Sequence, residues 1–180
     1  MKMSIVISLV ICLSSLLHAE TLTTSVAAPT VLAEEALKAG RLKLGGGFGW
    51  TQTKDYSYQH ISPSIQYFVS DNLSLGASLS YGTGSGDFSS TSIGPALDYY
   101  FYHKNQLAFY FSQEISLSNY YGADYYGDAQ SQIGTSSLGT LIFLNQNVAF
   151  GVELSRSYSL KNDNNDNGKT YLSGNFSIFY

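Results

Sequence analysis

The stretch that most constrains this chain is its last, Thr170-Tyr171-Leu172-Ser173-Gly174-Asn175-Phe176-Ser177-Ile178-Phe179-Tyr180. Taken in steps of two, Leu172, Gly174, Phe176, Ile178 and Tyr180 share one face. Tyr171, Ser173, Asn175, Ser177 and Phe179 share the other. A period of two marks a β-strand with one oily side. The strand ends the chain with nothing after it to cover an edge. Unpaired edges invite pairing, and the first strand is the partner that closes a barrel.

The same alternation begins at Arg41. Leu42, Leu44, Gly46, Phe48 and Trp50 alternate with Lys43, Gly45, Gly47 and Gly49. Ile61, Pro63, Ile65, Tyr67 and Val69 follow, opposed by His60, Ser62, Ser64, Gln66 and Phe68. Further strands fall near 73–82, 92–102, 107–119 and 148–158, the fourth with Tyr100 and Tyr102 on its polar side, the fifth with Gln113 interrupting its apolar face. The sixth, near 131–144, is placed by counting. Ile133, Leu141 and Phe143 fit one face, whereas Leu138, Ile142 and Leu144 fit the other. Pro63 and Pro95 each remove a ladder hydrogen bond and suggest bulges.

Side-chain size decides which face is outside. The polar set is mostly Ser, Gly and Ala, which suits the crowded inside of an eight-stranded barrel, while Leu, Ile and Phe of any size suit lipid. Strands of about 10–12 residues, tilted, are long enough to cross a bilayer core. Short connections (70–72, 103–106, 145–147) alternate with longer ones (53–57, 83–91, 120–130, 159–169), the asymmetry of a barrel with turns on one side and loops on the other. The expected fold is all-β: a transmembrane up-and-down antiparallel barrel of eight strands over residues 41–180, closed by the first and last.

Composition narrows the alternatives. Only 12% of residues are charged, against about 25% in soluble domains. A net charge of −4 offers no basic patch for nucleic acid. The pattern resembles the small eight-stranded outer-membrane β-barrel proteins of Gram-negative bacteria, of the porin-like kind. That resemblance implies an outer-membrane location with both termini periplasmic, a monomer, and contact with outer-membrane lipid and lipopolysaccharide. It also implies handling by the barrel-assembly machinery through the alternating terminal residues Phe176, Ile178 and Tyr180.

Residues 1–19 read as a secretory signal peptide, with Lys2, an apolar run over Ile5–Leu17, and Ala19 before the cut. Cys12, the sole cysteine, falls inside it. Residues 20–40 read as a flexible periplasmic arm. Pro29 and Gly40 bracket a possible short helix, and a helix plugging the barrel mouth is the lesser alternative.

Several groups stand out chemically. Arg41, Lys43, Asp98, Glu114 and Glu153 are the charges of the inward faces and are expected to form a lumen network, since unpaired buried charge is costly. Such a network either plugs the lumen or lines a narrow polar path. Tyr120, Tyr121, Tyr125 and Tyr126 form an exterior loop that is either a binding surface or an extension of the aromatic girdle. The His60–Ser62 spacing resembles the pair of outer-membrane lipid A deacylases, but no orienting acid stands nearby, and two lumen-facing polar residues is the better reading. Asp163–Gly168 matches the start of an EF-hand loop. The twelfth position is Gly174, so a solvated loop is favoured over calcium.

No cofactor and no metal site is expected. The function read from the sequence is a non-catalytic surface anchor, for interaction through an unidentified exterior ligand or for envelope integrity. The alternatives are a small-solute channel and, behind it, a lipid A-modifying enzyme.

Overall fold

The computed structural model of the protein describes residues 32–52, 57–85, 88–121, 129–160 and 169–180. The signal peptide, most of the arm, Tyr125, Tyr126 and the Asp163–Gly168 loop lie outside them. A short helix α1 (Leu32–Ala36) precedes eight strands: β1 (Leu42–Gln52), β2 (Ser57–Ser70), β3 (Leu73–Gly84), β4 (Ser89–Lys104), β5 (Leu107–Tyr121), β6 (Ala129–Asn145), β7 (Val148–Ser159) and β8 (Lys169–Phe179). Each pairs antiparallel with its neighbour in sequence, and β1 pairs with β8 to close the barrel. The two-residue turns lie at one end, helped by Asn72 and Asn105, whose φ of 67° and 53° is a left-handed conformation that asparagine tolerates.

Most large apolar side chains of the strands point outward. Ile61, Leu75, Leu79, Ile93, Ile115 and Leu154 are all exposed on the barrel wall, while Ser74, Ser78, Ser116, Ser137 and Ser155 are buried inside. The ambiguity of β6 resolves in the same sense: Leu138, Ile142 and Leu144 face out, and Leu141 and Phe143 are buried. Ile133 shares the inner face with Ser116 opposite it and is half-buried.

Two expectations are corrected. Pro63 and Pro95 do not make bulges. Register runs unshifted past them, from Ile61↔Tyr81 to Ser64↔Ser78 and from Ile93↔Leu117 to Ala96↔Glu114; only the pairings between are absent. Each proline lacks an N–H and simply interrupts the ladder on one side. The real register shifts lie beside the short turns, between Phe68 and Ser70, Tyr100 and Tyr102, and Phe143 and Asn145. An inserted residue flips every side chain after it, so Tyr102, expected inside, is 46% exposed on the wall.

The arm differs too. Over residues 32–40 it is not loose but seated on the short-turn end of the barrel. Ala33, Ala36 and Leu37 are fully buried against Phe68, Ala108, Leu141, Phe143 and Phe179. Ala33 N–H donates to the Asn105 carbonyl at 2.9 Å, and Asn72 N–H donates to that of Leu37 at 2.9 Å. Ala39 N–H donates to Asp71 Oδ1 at 2.8 Å. The physical reason is apolar: three small or aliphatic residues on one side of a single turn complete a cluster that would otherwise end bare.

Candidate functional site

The lumen is filled in two layers. At the short-turn end, the even-numbered strands each finish with an inward aromatic: Phe68 on β2, Tyr100 on β4, Phe143 on β6 and Phe179 on β8, all buried. Their backbone N–H groups repeat one bond, donating to the carbonyls of Arg41, Asn72, Gln106 and Asn147 at 2.7–2.9 Å. The rings pack together, with centroids 5.7 Å apart for Phe68–Tyr100, 6.2 Å for Phe68–Phe179 and 5.2 Å for Phe143–Phe179. Aromatic pairs at such separations contribute about 0.5–1.5 kcal/mol each beyond burial. With α1 over them, they form a plug.

A polar layer follows, deeper into the barrel. Lys43, 6% exposed, meets Asp98, 3% exposed, with Nζ 2.5 Å from Oδ2. The same Nζ donates to Tyr100 OH at 3.2 Å and lies 5.8 and 5.9 Å from the Tyr100 and Tyr110 ring centroids. Tyr110 OH donates to Glu153 Oε2 at 2.6 Å and accepts from Asn175 Nδ2 at 2.6 Å. Ser155 donates to Glu153 Oε1 at 2.9 Å, and Ser137 donates to Ser155 at 2.9 Å. Gly139 makes room for this, because a Cβ there would strike the Tyr110 ring.

Of the five charges expected to form the network, the structure brings three together: Lys43 with Asp98 directly, and Glu153 through Tyr110. Glu114 shares the inner face, opposite Ala96 and Thr135, half-buried and in no ion pair with another described residue. Arg41 turns to the short-turn end, where Nη2 donates to the carbonyls of Gln146 (3.2 Å) and Phe179 (3.1 Å). There it caps the plug instead of joining the network.

His60 faces inward, stacked on Tyr58 at 5.7 Å and edge-on to Tyr171 at 5.3 Å. It lies over Gly49, where a Cβ would collide with the imidazole. Its Nδ1 is buried without a hydrogen-bond partner, and no carboxylate among the described residues orients it. Tyr120 stacks on Phe88 at 6.0 Å inside the loop end, while Tyr121 lies exposed on the wall. Phe176, Ile178 and Tyr180 share the outward face of β8, with Phe176 packed on Phe150 at 4.9 Å. Among the described residues no group of three or more His, Cys, Asp or Glu is placed to hold a metal.

The sequence reasoning missed the aromatic layer. A signal was present: Tyr67-Phe68, Tyr99-Tyr100, Ile142-Phe143 and Ile178-Phe179 each put two large residues in adjacent positions, so one of each pair must face inward.

No protein-family model matches the sequence, and neither does any curated protein. Solved structures do match. The N-terminal β-barrel domain of Pseudomonas aeruginosa OprF superposes with a TM-score of 0.61 at 18% identity, over 79% of this chain and 98% of that one. The outer-membrane protein OprG of the same species gives 0.55 at 12% identity, over 81% and 98%. Ail of Yersinia pestis, whose backbone structure is in a phospholipid bilayer nanodisc, gives 0.50 at 14%, over 78% and 99%. The chain has the fold of the small eight-stranded outer-membrane β-barrels.

Proposed function

We propose that the protein is an outer-membrane barrel that anchors its exterior loops and neither conducts solutes nor catalyses a reaction. The observation that carries this is the double filling of the lumen, aromatic plug below and Lys43–Asp98–Tyr110–Glu153 layer above. An eight-stranded barrel has an interior only wide enough for its own side chains. The outward band of Leu, Ile, Phe and Tyr supports placement in a bilayer. In that placement the short turns and α1 are periplasmic and the longer connections are exterior. Phe176, Ile178 and Tyr180 then face the membrane, where the assembly machinery would read them. Among the described residues no acid orients the His60 imidazole, which supports a non-catalytic reading of His60 and Ser62.

Planar-bilayer recording tests it. The intact protein is expected to give no stepwise current. Leu37→Glu forces a charge into the plug and is expected to loosen it without touching the barrel ladders. Steady unit conductance from the unaltered protein would favour the channel reading instead.

A further inference from the structure

The barrel wall is not closed along its whole height. Leu42 and Tyr180 exchange both backbone hydrogen bonds, at 3.0 and 2.9 Å, and the β1–β8 ladder then runs from Lys43↔Phe179 to Phe48↔Gly174, where it stops. Both strands continue: β1 to Gln52, paired with β2 throughout, and β8 back to Lys169, paired with β7. In an antiparallel ladder every second pair exchanges bonds, so counting by twos from Leu42/Tyr180 reaches Trp50/Leu172 as the next pair due. That pair is not formed. Among the described residues, no bridge closes its backbone groups toward the loop end.

A groove of about 580 Å³ runs along the outer wall beside this gap, from Val152 on β7 to Ile61 and Tyr81 on β2 and β3, within the roughly 300–1,000 Å³ range of small-ligand clefts. Phe48, Trp50, Val152 and Leu172 line it from the outer wall, while His60 and Ser173, which face inward, line its floor. The groove therefore reaches the unpaired part of the seam from the outer wall. Gly49 and Gly174 border it without side chains of their own, the first backed on the lumen side by the His60 ring and the second covered on the outer side by Phe48. Trp50, 69% exposed beside it, belongs with the aromatics that mark a barrel's interface.

The groove is continuous with the outward apolar band, so what covers that band covers it. At the edge of the hydrocarbon an unpaired backbone pair is costly unless something polar satisfies it. An acyl chain with an ester or amide linkage supplies both needs: methylenes for the apolar walls, a carbonyl to accept from the Trp50 N–H. We propose that the β1–β8 seam is a lateral slot that takes one acyl chain of a surrounding membrane lipid, its linkage at the Trp50/Leu172 backbone and its tail along the groove past Ser173. This rests on the membrane placement proposed above.

Thiol labelling from within the bilayer tests both ideas separately. In a Cys12→Ser background, Ser173→Cys, Ser155→Cys and Ile115→Cys are each purified and placed in phosphatidylethanolamine–phosphatidylglycerol vesicles containing a lipid with a maleimide on its acyl chain. Ile115 is on the outer wall, so its labelling reports membrane placement; without it, that placement fails. Ser155 is buried behind an unbroken ladder. Ser173→Cys is expected to label about tenfold or more faster than Ser155→Cys, which is reached only by local opening. Val152→Trp, filling the groove from β7, is expected to slow Ser173→Cys to the Ser155→Cys rate, with Thr83→Trp as the substitute if that variant does not fold. Equal slow rates at 173 and 155 with normal labelling at 115 overturn the slot. So does fast labelling that neither filling variant slows, because the probe then enters through the lumen.

Discussion

Replacing Lys43 by Met separates the ion pair's contribution from that of packing. The Nζ group makes one salt bridge, to Asp98, and one hydrogen bond, to Tyr100 OH, and it faces two tyrosine rings. Asp98 has no other cation in contact, because Arg41 is engaged with turn carbonyls and the other ion pair among the described residues, Lys38–Glu35, lies on the exposed arm. Lys43→Met therefore leaves a carboxylate buried and uncompensated. Breaking one side of a buried pair costs about 3–5 kcal/mol, a factor of hundreds or more in the folding equilibrium. Met conserves most of the Lys volume, so little of the loss is a cavity effect. Adding Asp98→Leu removes the stranded charge, and full replacement of a buried pair is about neutral or stabilising by 1–4 kcal/mol. The double variant should recover most of the single variant's loss. Urea unfolding in vesicles, followed by fluorescence of Trp50, the chain's sole tryptophan, reads both. A single variant within about 1 kcal/mol of the original protein would refute the burial argument. A double variant no more stable than the single would refute the stranded-charge account, and one well below the original protein would show that the ion pair contributes net stability.

Two further substitutions probe the wall and the interior. Leu79→Arg puts a charge in the middle of the outward band and is expected to cost about 2–4 kcal/mol in the bilayer, whereas inward Ser78→Ala should be nearly silent; refolding yield and urea midpoint compare them. Gly139→Ala should displace the Tyr110 ring, breaking its bond to Glu153 and costing about 1–3 kcal/mol by overpacking, and Gly139→Ala with Tyr110→Phe should not restore it because the ring still collides.

Strand number, orientation and the outer face were legible because they rest on a period of two sustained over long strands and on side-chain size. Position 113 shows how far this went: Gln113 broke the apolar face of the fifth strand and does lie on the outer wall, where it donates to Tyr158 OH at 2.9 Å and accepts from Ser136 at 2.7 Å. What escaped depends on a single extra residue. The register shifts at Val69, Phe101 and Leu144 leave no mark in a periodic pattern except adjacent bulky residues, and each exposes the inserted side chain. Lys43 meeting Asp98 was open to sequence reasoning as one of several pairings of inward charges. Arg41 leaving the network was not, since it depends on the carbonyls of a turn more than a hundred residues away. The seam was invisible for a related reason: Phe48 and Gly174 look like ordinary alternating positions, and only the ladder shows that pairing ends with them.

The two ends of the barrel differ in how firmly they are closed, and the difference has a local cause. At the short-turn end, β1 carries Leu42, Lys43 and Leu44, which hold β8 through backbone pairing while Arg41 binds the Phe179 carbonyl. Toward the loop end, β1 reads Gly45-Gly46-Gly47-Phe48-Gly49. Glycine weakens a strand by about 0.5–1 kcal/mol per residue relative to alanine and offers no cross-strand side-chain contact. Phe48 offsets part of this by covering Gly174, where an added Cβ would meet its ring at 2.7 Å, and pairing ends at that contact. The glycines are not freely replaceable, however. At Gly45 a Cβ would come within 2.9 Å of the Phe176 carbonyl, and at Gly46 within 2.8 Å of Pro63 Cα. Close approach of β1 to both neighbours over Gly45–Gly47 thus requires glycine, and the same run gives the ladder little cross-strand side-chain support just before its end at Phe48.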